Sequence, residues 1–112
     1  MSTVSVNTSG SQLSVIGTEH TLATITAAGV YQLFVDVSVL VDGATADELL
    51  IKEYLIPAAA GAERLCKTYA MLGKQVENMF ITPPRMSAVS IKYTLTQVAG
   101  SVRTFPWSVQ QA

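Results

Sequence analysis

A run of strict alternation near the C-terminus constrains this chain more than anything else in it. Val89, Ile91, Tyr93 and Leu95 share one parity, while Ser90, Lys92, Thr94 and Thr96 take the other. Successive side chains leave opposite faces of an extended backbone, so the run reads as a strand with one buried face. Val98-Ala99-Gly100-Ser101 then offers a turn whose glycine can take positive φ. Phe105, Trp107 and Val109 alternate next with Thr104, Pro106 and Ser108. Residues 88–109 are therefore expected to form a β-hairpin, with the only tryptophan at the centre of the core.

The rest of the chain repeats the theme. Tyr31, Leu33, Val35, Val37 and Val39 form the clearest apolar stripe of the first half. Asp42-Gly43 after it is a strong hairpin signal, with a return strand expected over about residues 49–56. Residues 46–49 are also good helix formers, but the turn and the continuous Leu49-Leu50-Ile51 run favour strand. Residues 63–72 fit helical spacing through Leu65, Tyr69 and Leu72, and strand spacing through Leu65, Lys67, Tyr69 and Met71. The β runs on either side and the Gly73-Lys74 turn decide for strand. Shorter β patterns are expected at residues 13–16, 21–25 and 79–81. Pro83-Pro84 cannot donate to a ladder and marks a sheet edge, and Pro106 marks an edge or a bulge in the last strand.

The sum is an all-β chain: a single-domain antiparallel β-sandwich of about seven to eight short strands with turn signals every ~8–12 residues. Its core is expected from Tyr31, Leu33, Val35, Val37, Ile91, Tyr93, Leu95, Phe105 and Trp107. At 112 residues the chain fits one domain, read as residues 13–112. Residues 1–12 form a Ser/Thr-rich segment in which Val4 and Val6 alternate with Ser5 and Asn7. That segment reads equally as a strand or as an extended polar arm that orders on a partner.

Composition excludes several functions. Only 13% of residues are charged, about half of the usual ~25%, and mean hydropathy is +0.37. Such a surface points to coverage by a partner, since free-standing proteins use charge to keep copies apart. A net charge of −1 with scattered cations offers no field for nucleic acid. No run approaches the ~18 apolar residues of a membrane span. The N-terminus shows no basic and apolar leader, so assembly in the cytoplasm is expected. Cys66, the single cysteine, follows Leu65 and is expected to be a buried, inert thiol.

Catalysis finds no constellation. His20 is the only histidine, and a loop position beside Glu19 accounts for it. A zinc site needs three or four ligands, which the chain does not offer at recognisable spacing. Asp42, Asp47 and Glu48 lack EF-hand spacing, and the turn explains Asp42. Tyr31, Tyr54, Tyr69, Tyr93 and Trp107 invite a glycan-binding reading, but most lie in phase with apolar residues and are read as core. The expectation is a protein that is not an enzyme and takes no cofactor.

Lys92-Tyr93-Thr94-Leu95-Thr96-Gln97, Gly100, Arg103 and Phe105-Pro106-Trp107-Ser108-Val109 resemble small virion proteins of tailed bacteriophages. The segment from Leu22-Ala23-Thr24-Ile25 through Gly29-Val30-Tyr31-Gln32-Leu33 to Asp36 is similar to the same group, so the likeness spans roughly half of the chain. Residues 58–74 depart from the pattern. The resemblance implies a jelly-roll-like sandwich acting as a capsid cement or decoration subunit. Such a subunit sits on the virion surface, binds the outside of the major capsid protein lattice and associates with itself as a dimer or trimer. Tail or head-fibre component and glycan-binding module are the alternatives. Contact with neighbours is expected at Thr3, Val4, Ser5 and Val6 of the arm and at Phe80, Ile81, Pro83 and Pro84. There an edge strand could accept a neighbour's strand.

Overall fold

A computed structural model describes residues 5–43 and 46–112. Nine strands follow in chain order: β1 (Ser5–Leu13), β2 (Glu19–Ile25), β3 (Gly29–Asp36), β4 (Glu48–Ile56), β5 (Arg64–Leu72), β6 (Met79–Ile81), β7 (Arg85–Ser87), β8 (Ser90–Ala99) and β9 (Thr104–Gln111). Among the described residues there is no helix. One sheet runs β1-β9-β3-β6 with β7 also paired to β3, and the other runs β2-β8-β4-β5. Every pairing is antiparallel.

β6 and β7 occupy one lane beside β3, which brings nine segments down to eight positions. The break falls at Pro83-Pro84, which have no N–H to give. Thr82 bridges it: its N–H donates to Leu33 O, and its Oγ1 accepts the Leu33 N–H at 2.9 Å. Four lanes then lie over four, and consecutive strands change sheet at nearly every step. That order is the jelly roll.

The expected hairpins fail at two places for one reason. β8 lies in one sheet and β9 in the other, so residues 99–103 cross the gap instead of turning back. β3 and β4 are separated in the same way across Asp42-Gly43. Alternation reports which face of a strand is buried, and that face looks the same whether the next strand lies beside it or opposite. Among the described residues the only long hairpin between chain neighbours is β4–β5.

Other expectations shift in detail. Residues 14–16 are not strand: Ser14 is buried, while Val15 and Ile16 are exposed in the connection to β2. Pro106 lies in β9, an interior strand, and neither marks an edge nor sits in a bulge. The ladder with β3 stops at Val35–Trp107, so Pro106 has a strand neighbour only on its β1 side and its missing N–H is tolerated. Of the polar segment, Thr3 and Val4 lie outside the described residues, whereas residues 5–12 pair with β9 as an edge strand.

Tyr31, Leu33, Val35, Val37, Ile91, Tyr93, Leu95 and Phe105 are buried between the sheets with Leu40, Leu49, Ile51, Met71 and Val109. Trp107 is half-buried at the margin rather than central. Its indole leans over Gly10 of β1, where an added Cβ would meet the ring at 3.2 Å. The missing side chain of Gly10 is what makes room for it.

Candidate protein-interaction surfaces

Four connections meet at one end of the sandwich, and a buried polar network ties them. Asp47, fully buried, is its hub. Its Oδ2 accepts the Val41 N–H at 2.9 Å, and its Oδ1 accepts from Ser101 N–H and Gln97 Nε2, each at 3.1 Å. Gln97 Nε2 also donates to Ser101 O, and its Oε1 accepts the Ser14 hydroxyl. Arg103 Nε stands 3.3 Å from Asp47 Oδ2, close enough for an ion pair though out of line for a hydrogen bond. The Arg103 and Gly73 N–H groups are taken by Ser14 Oγ and Asp47 O. Gly100 is required here twice over: its φ is +99°, and a Cβ would collide with the Asp47 carboxylate. A buried carboxylate is stable only when its lone pairs are satisfied, and these donors come from two connections, through Val41 and Ser101, and from Gln97 of β8.

The connections at this braced end expose several apolar side chains alongside Asp42 and Lys74. Leu13, Val15 and Ile16 from the β1–β2 connection, Val41 after β3, and Val98 and Val102 beside the β8–β9 crossover are all exposed. Loops of a soluble domain are usually polar, and an apolar cluster held rigid from below is the form of a contact surface. Rigidity matters because a preordered surface loses little entropy on docking.

The flank where β5 and β6 face each other is the second distinct region. Glu53 continues the inward phase of Leu49 and Ile51 and is fully buried. It accepts the Tyr69 hydroxyl, and the Arg85 guanidinium lies 3.4 Å from it through both Nε and Nη2. Burial first, then this bond to Glu53, pushes the Tyr69 hydroxyl up to about 12. Tyr69 packs edge-on against Phe80, with ring centroids 5.2 Å apart. Outside that pair opens a cleft of about 550 Å³ floored by Val37, Met71, Met79 and Phe80 and bordered by Lys67, Val76 and Glu77.

Compared with family models, with curated proteins and with solved structures, the chain matches none. What it does must be argued from its own surfaces. Ser5 and Val6 are exposed on β1, while Ile81, Pro83 and Pro84 are exposed beside β3, and Phe80 turns inward. β1 and β6 are opposite edges of one sheet, so the two groups are not brought together.

Each edge also carries an interruption. Pairing skips Asn7 on β1, Leu22 on β2 and Cys66 on β5, and prolines divide β6 from β7. Bulges and prolines at edges hinder strand addition, so contact through side chains suits this molecule better than a shared ladder.

Cys66 is exposed, contrary to the buried thiol expected, because the edge strand β5 has no cover over that stretch. His20 lies in strand β2 rather than a loop, and its Nε2 accepts the Val15 N–H at 3.1 Å. Asp42 accepts the Lys74 N–H at 2.8 Å, tying two connections together. Among the described residues no three His, Cys, Asp or Glu side chains group as metal ligands would. Tyr31 and Tyr93 are buried. The ring of Tyr54 lies under Lys92 Nζ at 4.5 Å, and its hydroxyl donates to Glu19 at 2.6 Å. Tyr69 is half-buried with its ring on the open flank cleft, within reach of an outside group.

Sequence reading missed Asp47, Gln97 and Glu53. Gln97 and Glu53 carried a signal, since each follows two or three inward apolar residues at a spacing of two. A polar residue in apolar phase announces a buried network. Asp47 had none, because it precedes its strand.

Proposed function

We propose that this chain is a structural virion protein, a capsid cement or decoration subunit that binds the outside of a major capsid lattice and bridges neighbouring capsomers. The observation that carries the reading is the apolar end braced on Asp47. Its connections are cross-linked by the Asp47 network, and they expose Leu13, Val15, Ile16, Val41, Val98 and Val102 with Asp42 and Lys74 as the charges beside them. The jelly-roll order and the resemblance in β8 and β9 support it. Shape alone does not, since one fold serves many roles. In this reading the protein acts by contact rather than catalysis, takes no cofactor, and associates with itself as a dimer or trimer. Many weak contacts repeated over a lattice give a firm hold that no single one supplies.

Sedimentation of purified protein with isolated, expanded phage shells tests this. Occupancy should saturate at a fixed ratio to the main subunit. Val15→Asp with Val102→Asp should reduce it about tenfold or more, since two buried apolar contacts are replaced by charges. Shells that stay bare, or occupancy unmoved by the two aspartates, would refute the assignment. Deleting residues 1–12 is not a clean test, because residues 5–12 are a strand of the sheet and their loss unsettles the fold itself.

A further inference from the structure

The flank cleft is built in a way that fits a second copy of this chain. Val76, at 98% exposure, is the most exposed large apolar side chain among the described residues. It stands on the rim of an apolar hollow of about 550 Å³ that it does not fill. A projecting knob beside an open hole is self-complementary under a two-fold rotation. Each copy then places its knob in the other's hole, in the isologous arrangement that most homodimers use.

The charges agree with this arrangement. Lys67 and Glu77 lie on the same rim and both are exposed, yet neither forms an ion pair among the described residues. A two-fold axis through the rim brings the cation of one copy to the carboxylate of the other, twice. A partner of one net charge would satisfy only one of the two. Leu72, exposed at 70% at the end of β5, adds apolar area beside the connection that carries Val76. The interrupted edges already disfavour joining copies by strand addition.

We propose that the β5–β6 flank is a two-fold self-association surface, with Val76 seated in the partner copy's cleft against Tyr69 and Phe80, and with reciprocal Lys67–Glu77 pairs at its rim. This deepens the self-association in the reading above and does not depend on a shell. The braced apolar end stays free for a different partner, so one dimer would offer two such ends, as a bridge requires.

Sedimentation equilibrium of the purified full-length chain over a concentration series, with no shells present, tests the proposal. The wild type should be dimeric. Val76→Asp should weaken the dimer about tenfold or more, with the circular dichroism of the folded chain unchanged because that side chain is solvent-facing within one copy. Lys67→Glu and Glu77→Lys should each weaken it severalfold, about what one rim ion pair contributes per contact doubled by symmetry. The two reversals combined in one chain should restore it. A monomer at every concentration would overturn the proposal. So would a dimer indifferent to Val76→Asp, or a double reversal no better than the single ones. Because no shell enters the measurement, failure here leaves shell binding to be judged separately.

Discussion

Glu53 shows at the scale of one residue how this sandwich tolerates charge in its interior. Its carboxylate lies where an Ile or Leu would continue the stripe of β4, and it is held by Tyr69 and Arg85. A buried pair adds little net stability, but removing one partner strands the other. Arg85→Met should therefore cost about 3 kcal/mol, the low end for such a break because the guanidinium is partly exposed. Replacing Glu53 by Met as well should recover most of that loss, which urea unfolding of both variants beside the wild type would measure.

The tyrosines supply a second prediction at this scale. Tyr54 is pushed up to about 12, mainly by its bond to Glu19, and Tyr69 to about 12, mainly by burial. Burial raises Tyr93 further. Neutral phenols thus stabilise the fold fully below pH 10, their ordinary value. That stability is lost as pH rises toward 12. Glu19 works in the other direction. Bonds from Thr94 and then Tyr54 hold its carboxyl below the ordinary 4.5, so its stabilisation is present above that value and fades as pH falls beneath it. A tyrosinate absorbance titration should show delayed ionisation that returns to ordinary values in denaturant. Thr94→Val should flatten the acid limb of the stability curve, and a slope identical to the wild type would count against Glu19.

At the scale of elements, the sequence made strands legible and their partners not. Parity located β3, β8 and β9, because Tyr31, Ile91 and Phe105 each begin or sit in a stripe that one buried face demands, while the Asp42-Gly43 turn and the continuous Leu49-Leu50-Ile51 run located β4. Parity is silent about whether a stripe meets its chain neighbour sideways or face to face. Both the Gly100 and Gly43 turns were for that reason misread as hairpins. The candidate surfaces were less legible still. Val15, Val41, Val98 and Val102 are unremarkable one by one and become a surface only when the crossovers bring them to one end. β1 was ambiguous because its exposed, polar side chains make an arm and an edge strand look alike.

The ladder with β9 joins β1 to the body, and Gly10 leaves the space that Trp107 fills against it. Gly10→Val should cost about 1 kcal/mol as the indole is displaced, against the small gain that a β-branched residue brings to a strand. The emission of this sole tryptophan should move to longer wavelength. Trp107→Phe should absorb most of the cost in a double-mutant cycle, since the smaller ring leaves the new side chain its room. Additive effects would mean that Gly10 and Trp107 do not share this space.

Across the whole molecule, the jelly-roll order decides how the chain can fold as well as what it presents. Every lane but one pairs strands distant in sequence: β1 with β9, β2 with β8, and β3 with β9. Loop closure must precede most of the gain in such a topology, which places refolding in the range of ~ms to s rather than microseconds. The β4–β5 hairpin is the exception, and it is the element that can form first. Ile51 is fully buried on β4 and stands opposite both Tyr69 of β5 and Leu95 of β8. Ile51→Val, at a cost of about 1 kcal/mol, should mainly slow refolding if β4 and its neighbours lead. Val109→Ala on β9, which docks in the other sheet, should mainly speed unfolding. Stopped-flow refolding and unfolding in urea separates the two limbs. Equal changes in both limbs for both variants would mean a diffuse transition state, in which the single local pairing has no priority over the crossovers.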